Sequence, residues 1–193
     1  MFQFTYHTPT KVVFGKDTRQ QTGRLVKETG CRRVLIHYGG GSAERSGLLA
    51  QIRASLESEG IFYVELGGVV PNPRLSLVYE GIELCRREKV DFLLAVGGGS
   101  VIDSCKAIGY GLTNEGDVWD FYEHTRQAAA CMPVGVVLTI AAAGSEMSNS
   151  SVITKDEGMV KRGYNNDICR PVFAVMDPVL TMTLPAYQTA CGC

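Results

Sequence analysis

The residues with the clearest chemical potential lie at 97–106, where GGGSVIDSCK places three glycines and a serine before an aspartate and a lysine. An apolar run at 91–96 precedes the glycines, and a segment with helical spacing follows them. A strand that turns directly into a helix leaves backbone N–H groups unpaired at the positive end of the helix dipole, and glycines let an anion approach them closely. The pattern therefore indicates a phosphate site at the turn 97–100.

The same arrangement occurs earlier, in VLIHYGGGS at 34–42. Neither copy completes the G-x-G-x-x-G spacing of dinucleotide-binding turns, since Glu44 and Ile102 stand where the third glycine would be. Two interpretations stay open: a phosphate site, and a glycine turn that only packs a helix against the sheet. Two copies at corresponding strand ends of one α/β sheet favour the phosphate site.

A carboxylate at position 65 supports a rival assignment of the two turns. Glu65 ends the strand after the first glycine turn, where a conventional dinucleotide-binding unit holds the ribose of adenosine. A solvated carboxylate at a strand end is the alternative interpretation. Which glycine turn holds the pyrophosphate decides between them.

The elements that must position these turns alternate between strand-like and helix-like periods. Short apolar runs at 34–38, 61–66 and 91–96 predict strands, and apolar residues spaced by three and four at 44–59 and 75–88 predict helices. The order β-α-β-α-β predicts a parallel sheet with helices on both faces. The expected fold class is therefore α/β, a Rossmann-like, parallel-sheet nucleotide-binding domain.

The two ends of the chain are less regular. FQFTYHTPTKVVFG at 2–15 suits an N-terminal β-hairpin, and 150–164 predicts a late hairpin that turns at Asp156-Glu157-Gly158. Further buried strands are expected at 135–141 and 171–178. We expect residues 1–193 to form one domain, because there is no interdomain linker or low-complexity segment.

The composition describes a globular chain with little surface bias. Of 193 residues 45% are hydrophobic, and 19 basic residues balance 20 acidic ones, for a formal net charge of −1. Because no basic block or bilayer-length apolar run is present, we expect neither nucleic acid nor membrane as a partner, and a cytoplasmic location. Seven scattered cysteines without a C-x-x-C spacing predict free thiols rather than disulfides or a zinc site.

Three motifs, taken in order, resemble the N-terminal domain of iron-containing (group III) alcohol dehydrogenases, in the branch of butanol dehydrogenases and NADPH-dependent aldehyde reductases. They are GGGS-x-x-D-x-x-K at 97–106, LT-x-x-x-x-GSE at 138–146 and D-P-x-x-T-x-x-LP at 177–185. The resemblance implies an α/β nucleotide-binding domain followed by an all-helical domain. It also implies interconversion of alcohols with aldehydes or ketones by NAD(P)(H) and a divalent metal.

The resemblance further implies roles for individual residues. Asp103 resembles the family's aspartate near the nicotinamide end of the cofactor and is our candidate catalytic residue, with Lys106 bracing it on the same helix face. A surface ion pair is the alternative for both residues. The pyrophosphate cradle and further cofactor-lining positions are Gly97, Gly98, Gly99, Ser100, Asn72, Thr139, Ser145, Asn149 and Leu180. Ala143 departs from the family pattern P-A-T-G-S-E, which has a hydroxyl there.

Cofactor choice is expected to depend on the first glycine turn. Family members that prefer NAD tend to have an aspartate there, which repels a 2′-phosphate, whereas this chain has Gly39, Gly40, Gly41 and Ser42. Backbone N–H groups and the Ser42 hydroxyl face a phosphate without charge conflict, and Lys161 resembles the family lysine that supplies the countercharge. We therefore predict NADP(H) in preference to NAD(H). A solvated edge-strand lysine is the alternative for Lys161.

The metal is expected to bind outside this chain. The family's ligands are one aspartate and three histidines, and the aspartate should follow the T-x-x-LP element, where this chain has TLPAYQTACGC at 183–193. His7, His37 and His124 are far apart in sequence, so we interpret them as structural. We expect a cofactor domain truncated before the helical domain, which would hold iron or zinc in the intact protein, and no turnover by this chain alone.

The predicted function of the intact protein is an NADP(H)- and metal-dependent alcohol dehydrogenase or aldehyde reductase for a small alcohol or aldehyde. Two alternatives stay open: a nucleotide-binding module without catalysis, and a relative of glycerol dehydrogenase or of a dehydroquinate synthase-like lyase. Family members often form dimers through their N-terminal strands, which makes FQFTY at 2–6 a candidate homodimer interface. An edge strand within one subunit would show the same sequence pattern.

Overall fold

The computed structural model describes residues 3 and 7–191. In that part the strands are β1 (Lys11–Phe14), β2 (Arg33–Gly39), β3 (Phe62–Val69), β4 (Phe92–Gly97), β5 (Val134–Leu138), β6 (Ser150–Lys155), β7 (Val160–Asn165) and β8 (Phe173–Met176). The α-helices are α1 (Thr22–Glu28), α2 (Ser42–Arg45), α3 (Leu48–Ser58), α4 (Leu75–Glu88), α5 (Gly99–Thr113), α6 (Trp119–Tyr122) and α7 (Ala186–Cys191). Single turns of 3-10 helix lie at Thr18–Gln21, Glu157–Met159, Asp167–Cys169 and Pro178–Thr181.

The main sheet is parallel, with the strand order β1-β8-β5-β4-β2-β3. All residues of β4 and β5 are buried, as expected for strands that helices cover on both faces. Successive side chains of β4 belong to different apolar clusters: Leu93 packs with α4 and α5, and Leu94 packs with α1 and α3. The predicted α/β fold with a parallel, Rossmann-like sheet is therefore confirmed.

The late hairpin is also confirmed, because β6 and β7 pair antiparallel as a separate two-stranded sheet. This hairpin packs against α5 and against the segment that leads into α4. The N atom of Thr154 donates to the Pro73 carbonyl oxygen at 2.8 Å, and the Ser76 N atom donates to Asp156 Oδ2 at 2.9 Å. These two contacts hold the hairpin over the N-terminal end of α4.

The N-terminal hairpin stays a prediction, because its first arm falls on residues 2–6, of which only Gln3 is described. In its second arm, β1 pairs in parallel with β8 and lies at one edge of the main sheet as far as the chain is described. Residues 7–10 belong to no strand. Apart from Gln3, the FQFTY interface candidate lies outside the described residues.

Two further predictions concern the cysteines and the membrane. The cysteines whose side chains are described are free thiols, as expected for Cys31, Cys85, Cys105, Cys131 and Cys169. Within the described residues, no helix is both long and apolar enough to span a bilayer.

Candidate cofactor-binding site

The two glycine turns lie side by side at the carboxyl edge of the main sheet. They follow β2 and β4, which are parallel neighbours. From β2 the chain moves outward to β3, and from β3 it returns to β4 on the other side of β2, so the strand order reverses between the two turns. Open α/β sheets bind ligands at such a reversal, beyond the carboxyl ends of the strands. The topology thus places both sequence motifs at the position where a dinucleotide is expected.

The second glycine turn opens directly onto the N-terminus of α5. Gly98 is the N-cap residue, and no side chain caps the helix. A Cβ on Gly98 would lie 2.6 Å from Ile140 Cγ2, so the turn also needs glycine for close packing. The packing interpretation and the phosphate interpretation are therefore compatible at this turn. The helix end remains available to an anion, because its first N–H groups have no side-chain acceptor.

The first glycine turn is built differently. Gly41 adopts a φ of 101°, a conformation that favours glycine, and precedes the single-turn helix α2. Gly40 has no atom within 4 Å of the position that a Cβ would occupy. This turn is therefore open on its outer side, next to Ser42, which is exposed.

One cavity, of about 330 Å³, lies beside the start of α5 and is named here the Asp103 cavity. Its lining combines α5, the loop that leads into α4, the segment before β6, and the late hairpin. The predicted site residues that it brings together are Asn72, Gly99, Ser100, Asp103, Ser145 and Lys161. Most of the polar positions predicted for the cofactor thus meet in one place, although they come from distant parts of the sequence.

A second cavity, of about 460 Å³, is named here the Thr139 cavity. It contains three predicted positions, Ser42, Thr139 and Leu180, together with Arg19 and Gln51. Both cavities border the second glycine turn, because Thr139 N donates to the Gly97 carbonyl oxygen at 3.1 Å and Gly99 lines the Asp103 cavity.

Two predicted site residues have other surroundings than expected. Lys161 lines the Asp103 cavity, whereas Ser42 lines the Thr139 cavity, so the structure does not unite them as one selector for a 2′-phosphate. Asn149 lines neither cavity, and its Nδ2 atom donates to Asp167 Oδ1 at 3.0 Å. The amide of Asn149 therefore ties two surface segments together.

Asp103 presents a buried acceptor to its cavity. Its Oδ2 atom accepts a hydrogen bond from Val152 N at 3.1 Å, and its Oδ1 atom is buried without a hydrogen-bond partner among the described residues. Burial raises the pKa of the Asp103 carboxyl, while the Lys106 ammonium, the Val152 N–H, the nearby Ser145 hydroxyl and the Lys161 ammonium oppose that rise. A buried oxygen without a partner is costly, so this atom is suited to accept a donor from a ligand.

The surface ion pair considered for Asp103 and Lys106 is not formed. Lys106 is fully buried, and its ammonium donates to backbone carbonyl oxygens of the segment 145–150. Both residues lie on one face of α5, as predicted from their spacing. Their hydrogen-bond partners belong to residues 145–152.

The carboxylate of Glu65, considered above as a ribose acceptor, is not free in the structure. Arg53 donates to both carboxylate oxygens of Glu65, at 2.6 and 2.9 Å. The same guanidinium donates to both oxygens of Glu44, at 3.1 and 2.8 Å. Both acids near the first glycine turn are therefore paired with one arginine, and the three groups together keep a net charge of −1.

Two residues at the Thr139 cavity were not predicted from the sequence, Asp177 and Arg19. Asp177 is buried, accepts from Val179 N at 3.0 Å and forms an ion pair with Arg19. The aspartate before Pro178 is a helix-capping pattern that could have been recognised, because proline is common at the first helical position. Arg19 had no such local signal, since its partner lies 158 positions later.

The described residues do not fit a metal centre. No group of three His, Cys, Asp or Glu side chains within them could hold a metal ion. Of the histidines, His37 is fully buried and hydrogen-bonded inside the fold, in agreement with the structural interpretation.

Known proteins share this architecture. A model of the iron-containing alcohol dehydrogenase family matches residues 9–178. The chain is 47% identical over its full length to the probable NADH-dependent butanol dehydrogenase 2 of Bacillus subtilis, and 38% identical to the NADPH-dependent aldehyde reductase YqhD of Escherichia coli. It spans 49% of the length of each of these relatives.

The solved structures agree with the sequence relatives. The crystal structure of NADH-dependent butanol dehydrogenase A from Thermotoga maritima superposes with a TM-score of 0.94 and 43% identity, over 98% of this chain and 48% of that one. The family match covers most of the chain, including the second glycine turn and Asp103. These residues line the Asp103 cavity, and the D-P-x-x-T-x-x-LP segment lines the Thr139 cavity. On these grounds the chain belongs to the iron-containing alcohol dehydrogenase family.

Proposed function

We propose that this chain is the cofactor-binding part of a metal-dependent alcohol dehydrogenase or aldehyde reductase that prefers NADP(H) to NAD(H). The observation that carries the proposal is the buried, unpartnered Oδ1 atom of Asp103 in a cavity beside the uncapped N-terminus of α5. A nicotinamide cofactor supplies or accepts the hydride when it is bound. The chain's own residues would bind and orient that cofactor.

The two cavities and the glycine turn that they border would each hold a different part of the cofactor. We assign the pyrophosphate to the N–H groups at the start of α5, between the cavities, because an anion is stabilised there by the helix dipole. The more apolar Thr139 cavity would take the adenosine half, and the Asp103 cavity the nicotinamide half. Asp103 would accept a hydrogen bond from the nicotinamide half and so fix its orientation. These assignments follow from the chemistry of the lining residues.

The preference for NADP(H) rests on charge at the first glycine turn. Residues 39–42 contain no carboxylate, and the nearby Glu44 and Glu65 are both engaged by Arg53. A 2′-phosphate at this turn would therefore meet N–H groups and the Ser42 hydroxyl rather than a free anion. The names of the relatives mention both NADH and NADPH, so this chain's own residues carry the argument.

The substrate and the metal are proposed from the relatives. Their names describe butanol dehydrogenases and an aldehyde reductase, and we propose a small alcohol or aldehyde here. We propose that the metal ligands come from residues outside the described part of the chain, since no suitable group occurs within it.

A parallel titration of this chain with NADPH and NADH, followed by nicotinamide fluorescence, tests cofactor binding. We expect NADPH to bind at least about tenfold more tightly than NADH, a difference of about 1.4 kcal/mol. Equal or tighter NADH binding would contradict the preference, and no binding of either nucleotide would contradict the cofactor assignment.

A turnover assay of the same chain tests the metal proposal. Butanal and NADPH are added with Fe²⁺ or Zn²⁺, and we expect binding of NADPH without its oxidation. This result is also what a nucleotide-binding module without catalysis would give, so the assay is repeated on the full-length gene product. Chelator-sensitive turnover by the full-length protein would support the proposal that it is a metal-dependent enzyme. Turnover by this chain alone would contradict the proposal that the metal ligands lie outside it.

A further inference from the structure

Lys106 occupies an unusual position for a lysine. Its side chain is among the largest fully buried ones, although it carries an ammonium group. The Nζ atom donates to the carbonyl oxygens of Ser145, Ser148 and Ser150 at 2.8, 2.9 and 2.8 Å, and to Ser148 Oγ at 3.3 Å. Every one of these acceptors is uncharged. Such an ammonium is retained inside a protein only where its donors are well satisfied.

Two of the carbonyl acceptors of Lys106 belong to an irregular segment. Ser145 and Ser148 lie in the turns and bends before β6, so their carbonyl oxygens are not used in a helix or a sheet ladder, and the third acceptor, Ser150, is the first residue of β6. Three carbonyl dipoles would repel one another if they converged without a cation. The ammonium therefore determines the conformation of this segment, as a bound metal ion would.

Asp103, one helical turn before Lys106, holds the same segment through the opposite chemistry. Its Oδ2 atom accepts from Val152 N, and its carbonyl oxygen accepts from Ser151 Oγ at 2.9 Å. The Lys106 ammonium thus binds carbonyl oxygens, and the Asp103 carboxylate binds an N–H group. The two residues are three positions apart on one face of α5. Together they fix residues 145–152 against the helix that begins at the second glycine turn.

The fixed segment faces the Asp103 cavity. Ser145 lines that cavity, and its Oγ atom lies 3.3 Å from the position that a Cβ on Gly99 would occupy. The carbonyl oxygen of the same Ser145 is an acceptor of Lys106. Ser145 therefore faces the start of α5 with its hydroxyl, while its backbone is held by the buried ammonium.

We infer that Lys106 is a positioning residue for cofactor binding: its ammonium acts as an internal cation that holds Ser145 and the start of β6 around Asp103. This inference rests on the proposed binding of a nicotinamide cofactor in the Asp103 cavity. Lys106 acts through the segment that it holds. It does not line the cavity.

Replacement of Lys106 with chemical rescue tests this role. Lys106→Ala removes three methylene groups and the ammonium, and propylammonium restores both. We expect the variant to bind NADPH and NADH at least about tenfold more weakly than the original chain, by similar factors, and propylammonium to recover much of the affinity of both. Tetramethylammonium has the same charge but no N–H donors, so we expect no recovery with it. The exposed Lys16→Met serves as a surface control.

A second variant keeps the test valid if Lys106→Ala does not fold. Lys106→Met nearly conserves the volume and lacks the charge, and its affinity is measured well below its melting temperature, with circular dichroism as a check on the fold. A merely structural role would lower the melting temperature and leave that affinity unchanged, which would overturn the inference. Folded Lys106→Ala whose affinity propylammonium does not recover would overturn it as well. If the original chain binds neither nucleotide, the proposed function fails instead, so the two failures are distinguishable.

Discussion

The Nζ atom of Lys161 donates to the Oδ1 atom of Asn72 at 2.7 Å, across 89 positions of sequence. Asn72 lies in the loop before α4 and adopts a φ of 58°, which asparagine tolerates better than most residues. The contact joins the late hairpin to that loop at the Asp103 cavity, which both residues line. Lys161 is therefore a charged group of this cavity, away from the first glycine turn.

The position of Lys161 predicts how its removal affects the two cofactors. Lys161→Met should weaken NADPH and NADH binding by similar factors, about tenfold each, because the two molecules share their nicotinamide half. Parallel fluorescence titrations measure both affinities. Arg162→Met is the matched control, since Arg162 is exposed and successive side chains of a strand point to opposite faces. A loss confined to NADPH would instead restore Lys161 as the countercharge of a 2′-phosphate.

Gly40 offers a clean test of the first glycine turn. A Cβ at this position would meet no atom within 4 Å, and the backbone is not left-handed. Gly40→Asp should repel a 2′-phosphate and accept from ribose hydroxyls, so we expect NADPH affinity to fall by about tenfold or more while NADH affinity is kept or improved. Gly40→Asn has the same shape without the charge and should change the preference little. An equal loss for both nucleotides would show that the turn does not face the 2′ position.

A negative charge at Ser100 should have opposite effects on helix stability and on phosphate binding. It is the second residue of α5 and lines the Asp103 cavity. Ser100→Asp adds a negative charge to the first helical turn, which should stabilise the nucleotide-free protein by roughly 0.3–1 kcal/mol through the helix dipole. The same charge should repel a pyrophosphate, so we expect nucleotide affinity to fall by about 100-fold.

Thermal unfolding without nucleotide and fluorescence titration measure the two effects of Ser100→Asp separately. Ser100→Asn keeps a polar side chain without the charge and should retain most of the affinity. If Ser100→Asp binds both nucleotides normally, the start of α5 does not hold the pyrophosphate.

The features that could be predicted from the sequence depend on local patterns. The buried strand β4 and the helix α5 follow from an uninterrupted apolar run and from spacings of three and four, which short-range geometry imposes. The late hairpin follows from two strand-like runs around a turn of few residues. The placement of both glycine turns at one sheet edge follows from the parallel strand order.

The features that could not be predicted depend on contacts between distant segments. The acceptors of Lys106 lie 39 to 44 positions later, so its face on α5 could be predicted but its partners could not. Lys161 was assigned to the 2′-phosphate through its resemblance to a family lysine, and no local pattern indicates that the hairpin packs with Lys161 at the Asp103 cavity. For β1 the run KVVF predicted a strand, but its partner β8 begins at Phe173, far along the chain.

His37 makes stability depend on pH. It is fully buried on β2, where Nδ1 lies 2.7 Å from the Leu66 carbonyl oxygen and Nε2 lies 2.8 Å from Ser104 Oγ. Because a carbonyl oxygen only accepts, Nδ1 carries the proton and Nε2 accepts from the Ser104 hydroxyl in the neutral ring. Burial lowers the pKa of His37 from 6.5 to about 4.

Between these two pKa values the unfolded chain takes up a proton at His37 and the folded protein does not. The free energy of unfolding should therefore fall as the pH is lowered, with His37 responsible for a loss of about 2 kcal/mol between pH 7 and pH 5. Urea unfolding at both pH values measures the loss. His37→Gln removes the titrating group and should reduce the difference between the two pH values by that amount, whatever its own effect on stability. His7→Gln, at an exposed position, should keep the original difference. If His37→Gln loses as much stability on acidification as the original chain, other groups are responsible for the pH dependence.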